Sequence, residues 1–364
     1  MEILYIYIEG KHNLGVIKKI QGQVKALKSL GNNVDILNYS DKKVFLNEKE
    51  QFYAGNKYLK RFIIFVKMNK LNLGKYDLIY LRSPGFNPFV VKFLKNCKKK
   101  YQKQKILLEI PTYPYDQEDF NTITKIYNYI DRISRKNIDK YIDRIVTYSE
   151  DKKIFNVPCI NISNGIDLEE MGLVNKKEHE NIVFTSVSLC FFWHGIDRFL
   201  NSLLKYRKNG GIEKIKFNIV GEGTESYKLK TLVKNNIELK DMVMFHGFKS
   251  GKDLEEIYNE TDIAVGCLGN HRKGISYVQA LKNREYAAKG LPMIFSENDP
   301  GFKDVNFVFK VSEDEELLDI CKIIEWYKNL KISSSEIREY SKKFTWRKQM
   351  EKVLNEVKGV EYDK

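Results

Sequence analysis

The stretch NIVFTSVSLCFFWHGIDRFLNSLLKYRKNGGIEKIKFNIVG, residues 181–221, reads as strand, helix, strand. NIVFTSVS (181–188) and KFNIVG (216–221) are short apolar runs of the kind that parallel sheets bury on both faces. Parallel strands need a long crossover, and the helical pattern over 195–208 supplies it. The rhythm continues downstream with MVMFHG (242–247), DIAVGC (262–267) and LPMIFS (291–296) as strands. Upstream it begins with ILYIYI (3–8). A helix over 16–30 follows, with Val16, Ile20, Val24 and Leu27 at helical spacing and Gly31 as its stop. VDIL (34–37), YDLIYLR (76–82), KILLEI (105–110) and RIVTYS (144–149) are further strands, and 119–138 reads as a helix. The expected class is α/β, built as two Rossmann-like halves that meet near residues 165–175 across a cleft, with NKKEHE (175–180) as linker. Ligands of such folds sit at the carboxyl ends of the strands.

The chain has 364 residues, against roughly 100–200 per domain, which agrees with two domains. With 43% hydrophobic residues it has material for a sizeable core. No run approaches the ~18 apolar residues of a membrane span. MEILYIYIEGK starts as a strand and lacks the basic and cleavage regions of a signal peptide, so none is expected. Cys97, Cys159, Cys190, Cys267 and Cys321 are scattered without metal-ligand spacing, as expected of reduced thiols in the cytoplasm.

The net charge of +14 lies wholly in the first part. Residues 1–165 hold 30 Lys/Arg against 16 Asp/Glu, while 166–364 hold 32 of each. Residues 51–105 alone carry 14 Lys/Arg and one acid, Asp77. Such asymmetry speaks of partners. In KYLKRFIIFVKMNKL (57–71), Lys57, Lys60, Arg61 and Lys67 share one helical arc. Tyr58, Leu59, Phe62, Phe65 and Val66 share another, with Ile64 and Met68 intruding on the basic arc. A helix of this kind either lies on an anionic membrane or packs on its own sheet. No nucleic-acid motif accompanies the charge, so nucleic acid is not an expected partner.

IVGEGTES (219–226) places Gly221 and Gly223 after a strand but lacks the third glycine of a dinucleotide fingerprint, which argues against a plain dehydrogenase. Gly10 and Gly15 frame the loop after the first strand, a place suited to an anionic phosphate. GNHRKGISYVQALKNREYAAKGLPMIFS (269–296) carries a basic loop, His271, Arg272 and Lys273, then a helix with Lys282 and Glu285 three apart on one face. The pair is either a simple ion pair or a cation for a diphosphate beside a carboxylate for ribose hydroxyls.

ISNGID (162–167), WHGIDRFL (193–200), FNIVGEG, VMFHGF, the LKNREYAAKGLPMI helix and a late FTW (344–346), in this order, resemble the family-4 retaining glycosyltransferases of the GT-B fold over essentially the whole chain. ILLEIPTYPYDQE (106–118) resembles a subset that builds capsular polysaccharides and exopolysaccharides. The resemblance implies domains at 1–168 and 178–340, with residues 341–364 packing back on the first. It implies that Glu285 holds the nucleotide ribose, that Gly15 approaches the donor diphosphate, and that Gly247 and Phe248 receive the base. Tyr277 stands where the family has its first Glu, the group that contacts the donor sugar. His194-Gly195 stands where the family has Lys-Gly, and its companion Arg falls near Ser188. Arg272, Lys273 and Lys282 are the candidate replacements for those cations. The family's His in the first domain has no counterpart around Glu109–Tyr113, so Glu109 or Asp116 is the candidate to face the reaction centre, with a fold-holding role as the other reading.

The implied activity is sugar transfer with retention from a nucleotide-diphosphate donor, UDP-linked by default. Its acceptor would be a polyprenyl-diphosphate-linked or other glycan at the inner membrane face, with 51–105 against the anionic surface. No cofactor is expected beyond the nucleotide sugar. Asp-x-Asp is absent from the sequence, in keeping with metal independence. The alternatives are a nucleotide-sugar epimerase and a non-catalytic partner subunit that keeps the fold.

Overall fold

The computed structural model describes residues 1–8, 14–55, 60–115 and 122–359. The chain divides into two compact units, Met1–Gly165 with Trp346–Lys364, and Ile166–Thr345.

The first unit opens with β1 (Glu2–Tyr7), α1 (Leu14–Ser29) and β2 (Asn33–Ser40). β3 (Lys43–Leu46), β4 (Lys49–Tyr53), α2 (Lys60–Met68) and β5 (Leu78–Arg82) come next. α3 (Pro88–Lys100), β6 (Lys105–Ile110), α4 (Thr122–Ser134) and β7 (Arg144–Thr147) continue the alternation, and β8 (Lys153–Ile154) and β9 (Val157–Asn161) close it. The sheet runs β4-β3-β2-β1-β5-β6-β7-β9-β8. Its centre is parallel, and β3, β4 and β8 are antiparallel edge additions. Strand order reverses between β1 and β5. These edge hairpins turn through Asp41-Lys42, Asn47-Glu48 and Phe155-Asn156, each pair in the left-handed region. That is the backbone a two-residue hairpin needs.

Two apolar layers cover this sheet. One is built with Ile64, Phe65, Met68, Val90, Phe93 and Leu94 from α2 and α3. The other joins Ile20, Val24 and Leu27 of α1 to Met350, Val353 and Leu354 of the last helix. Trp346 anchors that last helix in a slot between Gly22 and Gly165, where an added Cβ would stand 2.3 and 2.2 Å from its ring. The glycine of ISNGID and the tryptophan of FTW are therefore packing partners.

The α2 arc differs from the sequence expectation. Ile64, Phe65 and Met68 are wholly buried, so the arc with Ile64 and Met68 faces the sheet. Val66 is exposed. Lys67 Nζ donates to the Tyr53 carbonyl at 3.0 Å, and Lys60 sits over the Tyr39 ring. The physical reason is burial: Ile64, Phe65 and Met68 pack with Val90, Phe93 and Leu94 of α3 and leave water entirely, while Arg61 on the same side stays exposed. Lys57, Tyr58 and Leu59 lie outside the described residues.

The second unit contains β10 (Ile182–Val187), α5 (Ile196–Lys208), β11 (Ile215–Val220), α6 (Ser226–Asn235) and α7 (Ile237–Lys240). β12 (Val243–Gly247), α8 (Gly251–Asn259), β13 (Ile263–Val265), α9 (Leu281–Lys289), β14 (Met293–Phe295) and β15 (Val308–Lys310) follow. α10 (Ile320–Asn329) and α11 (Ser334–Ser341) complete it, before α12 (Trp346–Lys358) returns to the first unit. The sheet is parallel throughout, in the order β12-β11-β10-β13-β14-β15. This is the doubly wound order, and its switch point lies between β10 and β13. Chain direction out of β10 and β13 thus opens a crevice at their carboxyl ends.

Candidate functional site

That crevice is lined by the segments leaving β10, β11, β13 and β14 and by the start of α9. Gly221, at φ +111°, has its α-carbon so close to the Ser188 carbonyl that an added Cβ would lie 2.0 Å from the oxygen. At Gly223 the corresponding distance to the Leu189 carbonyl is 1.5 Å. Only glycine lets the β11 loop pack on the β10 loop this closely. The result is a cavity of about 170 Å³ lined by Ser188, Leu189, Gly221 and Phe248, among others. Phe248 exposes 77% of its surface there.

α9 starts at Leu281 behind Ala280, which gives no side-chain cap, so its first N–H groups keep their positive end unmasked. Lys282 lies in this first turn. Its Nζ is shielded from solvent and has no hydrogen-bond partner. Burial opposes its charge, and its acidic neighbours, Cys267, Tyr286, Glu297 and Cys190, more than offset that and hold its pKa above the usual lysine value. Other buried polar atoms on the same loops are also unpartnered: Ser188 Oγ, Asn270 Nδ2, Asn283 Oδ1 and Glu297 Oε2. Native interiors leave few such groups, and these five lie together around the start of α9 and the loops beside it.

Glu297 follows β14 and is buried; its other oxygen accepts from Asn283 Nδ2 at 2.9 Å. Burial pushes its carboxyl up to about 7. His194 is half-buried, and its Nδ1 accepts the Phe191 N–H at 3.1 Å. Burial, then the charges of Lys282 and Lys273, push it down to about 3. It is a neutral imidazole near pH 7, and with Nδ1 accepting, its proton sits on Nε2 as a donor.

The rest of the basic loop is tied up internally. Arg272 donates to Asp197 at 2.8 and 2.9 Å, to Glu315 at 2.7 Å through both Nε and Nη2, and to the Phe192 carbonyl at 2.6 Å. It clamps the start of α5 and has no donor left for a phosphate. Lys273 is exposed, 4.6 Å from the centre of the Trp193 ring. Glu285 lies one turn beyond Lys282 on α9 and is partly exposed. Tyr277 pairs along Asn298 ahead of α9, and its hydroxyl accepts from Gln279 at 3.2 Å.

Residues 169–344 match the family glycosyl transferases group 1. Over 99% of both chains the structure is similar to the apo lipopolysaccharide outer core galactosyltransferase WaaB, at 12% identity and a TM-score of 0.64. A glycosyltransferase from Rickettsia africae ESF-5 is similar over 99% of this chain and 98% of its own, at 14% identity and TM-score 0.63. Anabaena Alr3699/HepE, solved with UDP and glucose, is similar over 98% and 99%, at 13% identity and TM-score 0.56. Residues 169–344 thus carry the group 1 glycosyltransferase pattern, and the chain as a whole has the GT-B fold. No curated protein matches it in sequence.

The second unit thus gathers Lys282, His194 and Glu297 near the switch point and Gly221 and Phe248 in one cavity. The first unit holds the remaining candidates. Gly15 lies in the first turn of α1. Glu109 is fully buried. One of its oxygens pairs with Arg82, its neighbour across β5 and β6, and lies 3.3 Å from the Tyr148 hydroxyl. The other accepts from Tyr80 at 2.7 Å and Gln23 at 3.1 Å. Both carboxylate oxygens are occupied from within the core, which is the fold-holding reading of that acid. Asp116 lies outside the described residues.

Two residues escaped sequence reasoning. Arg198, buried on α5, donates to the carbonyls of Leu268, Ser312 and Glu316 at 2.7–2.9 Å and so fixes the loops after β13 and β15. Glu297 is the other, an acid inside SENDPG that reads as a turn. Among the described residues no group of three His, Cys, Asp or Glu could hold a metal ion, and no helix is long and apolar enough to cross a membrane.

Proposed function

We propose that this chain is a glycosyltransferase that takes its sugar from a nucleotide-diphosphate donor, UDP-linked by default, bound at the β10/β13 switch point of the second unit. The observation that carries the reading is Lys282, a buried ammonium with no oxygen acceptor at hydrogen-bond distance, at the uncapped start of α9. A diphosphate supplies the missing acceptor, and the helix N-terminus adds favourable potential. His194 Nε2–H is a second donor for it. Glu285 holds the ribose hydroxyls and Phe248 stacks on the base, as the family resemblance implies.

In the reaction the bond between the anomeric carbon and the diphosphate oxygen breaks, and its electron pair leaves with the nucleotide. The acceptor hydroxyl bonds to the same carbon on the same face, and its proton passes to the departing phosphate. Lys282, His194 and the α9 amides stabilise the growing negative charge by preorganised electrostatics, without a metal. The acceptor is a polyprenyl-diphosphate-linked or related glycan of cell-surface polysaccharide, reached at the inner membrane face by the basic first unit.

The test is titration calorimetry with UDP, GDP and dTDP, with and without Mg²⁺. One nucleotide is expected to bind without metal, and Glu285→Ala to weaken it at least about tenfold, the loss of one charged hydrogen-bond partner. Unchanged affinity in Glu285→Ala contradicts the ribose assignment. A non-catalytic subunit is the second reading, favoured by the occupation of both Glu109 oxygens within the core; it predicts weak or no nucleotide binding.

A further inference from the structure

α4 is built inside out. Its inward arc is polar: Asp131 is 5% exposed, its Oδ2 accepts the Phe86 N–H at 2.6 Å, and its Oδ1 accepts from Tyr115 at 2.8 Å and Arg135 at 2.9 Å. The opposite arc is apolar and faces water. Ile126, Tyr129 and Ile133 are 56%, 66% and 50% exposed. At ~100° per residue these three fall within about 60° of one another. A helix held in place by buried carboxylate contacts, with its large apolar residues outward, has a second environment to meet.

Charge says which. Lys125 and Arg132 are exposed and run as a row along one flank of the apolar stripe, and Lys136 follows just beyond the helix. The surrounding 165 residues carry their full +14, a count that includes Asp116, Glu118 and Asp119 just ahead of α4. Apolar and aromatic side chains beside a basic row, on a strongly basic body, are the complement of an anionic bilayer interface. A protein partner would be expected to match a polar rim as well as the stripe.

The stripe also adjoins a cavity of about 460 Å³ at the carboxyl ends of β5 and β6. Arg61 and Phe62 of α2, Ser83, Thr112, and Tyr127 and Ile130 of α4 are among its walls. We infer that α4 lays its Ile126–Tyr129–Ile133 stripe into the headgroup region of an anionic membrane. That brings the mouth of the α2/α4 cavity to the bilayer surface. The inference deepens the proposed function, because it names the surface through which the first unit meets a membrane-borne acceptor. It also moves lipid contact from α2, whose apolar arc is core, to α4.

The experiment is co-sedimentation of the full chain with vesicles of phosphatidylcholine alone or mixed equally with phosphatidylglycerol. Binding is expected to the mixed vesicles and to weaken with salt. Ile126→Ser/Tyr129→Ser/Ile133→Ser should lower the vesicle partition coefficient about tenfold or more, with melting temperature and UDP affinity unchanged. Lys125→Glu/Lys136→Glu, which leaves every apolar contact in place, should lower it on mixed vesicles only. Equal binding by the serine variant overturns the α4 assignment, as does a wild-type chain that ignores both vesicles. A wild-type dimer that the serine variant converts to monomer also overturns it, by making the stripe a self-interface. UDP affinity is read separately, so loss of the α4 assignment and loss of the donor-site reading are told apart.

Discussion

Glu109 and Lys282 are both buried charges near the carboxyl end of a Rossmann-like sheet, one in each unit, and they are treated in opposite ways. Glu109 has Arg82, Tyr80, Gln23 and Tyr148 around its two oxygens. Lys282 has no hydrogen-bond partner for its ammonium, and Ser188, Asn270, Asn283 and Glu297 each leave a buried polar atom unmatched on the neighbouring loops. Desolvating a charge is costly in either place. A carboxylate whose two oxygens are both occupied recovers the cost within the protein. Lys282 has its charge offset by acidic neighbours but lacks a hydrogen-bond acceptor until something else binds. The first is an investment in the fold and the second a site.

The largest expected effect breaks the closed member. Glu109→Ala leaves Arg82 buried without its carboxylate and should lower the unfolding free energy by about 3–5 kcal/mol, read by urea denaturation. A loss under about 1 kcal/mol would mean that the network is not the structural core it resembles.

Glu297 sharpens the open member through pH. Its folded value, about 7, lies above the ordinary 4.5. Its contribution to stability is therefore complete below about pH 4.5, declines as pH rises toward 7, and is flat above that. Glu297→Gln should remove this decline and gain, relative to wild type, up to about 3 kcal/mol at pH 8 compared with pH 4. Parallel stability–pH curves for the two proteins would show that Glu297 ionises freely in the fold.

Much of this architecture is legible before any coordinates. Apolar runs such as ILYIYI and KFNIVG are strands, and Ile20, Val24 and Leu27 are the buried side of α1. Lys282 and Glu285, three apart in sequence, both fall on α9, as their spacing predicts. What stayed hidden has physical causes. The β2–β3–β4 hairpins turn on Asp-Lys and Asn-Glu pairs, without the glycine that advertises a left-handed turn. In α2 the run Phe62–Val66 is apolar all round, so periodicity cannot choose its buried arc. In α4 periodicity finds the apolar arc, but only Asp131 and its partners show that the arc points outward. Arg272 has the composition of a phosphate ligand, and only Asp197 and Glu315 reveal that it is spent. Arg198 and Glu297 carry no local pattern at all, because their partners are more than ten residues away in sequence.

The smallest expected change in stability comes with the most direct test. Lys282→Met should change the unfolding free energy by no more than about 1 kcal/mol, since the ammonium makes no hydrogen bond in the fold and its acidic neighbours roughly balance its desolvation. The same substitution should weaken nucleotide diphosphate binding at least about tenfold, measured by calorimetry on the same sample. Stability kept and affinity lost is the result the account predicts. Stability lost by more than about 2 kcal/mol with affinity unchanged would contradict it, and would make Lys282 a structural residue like Glu109.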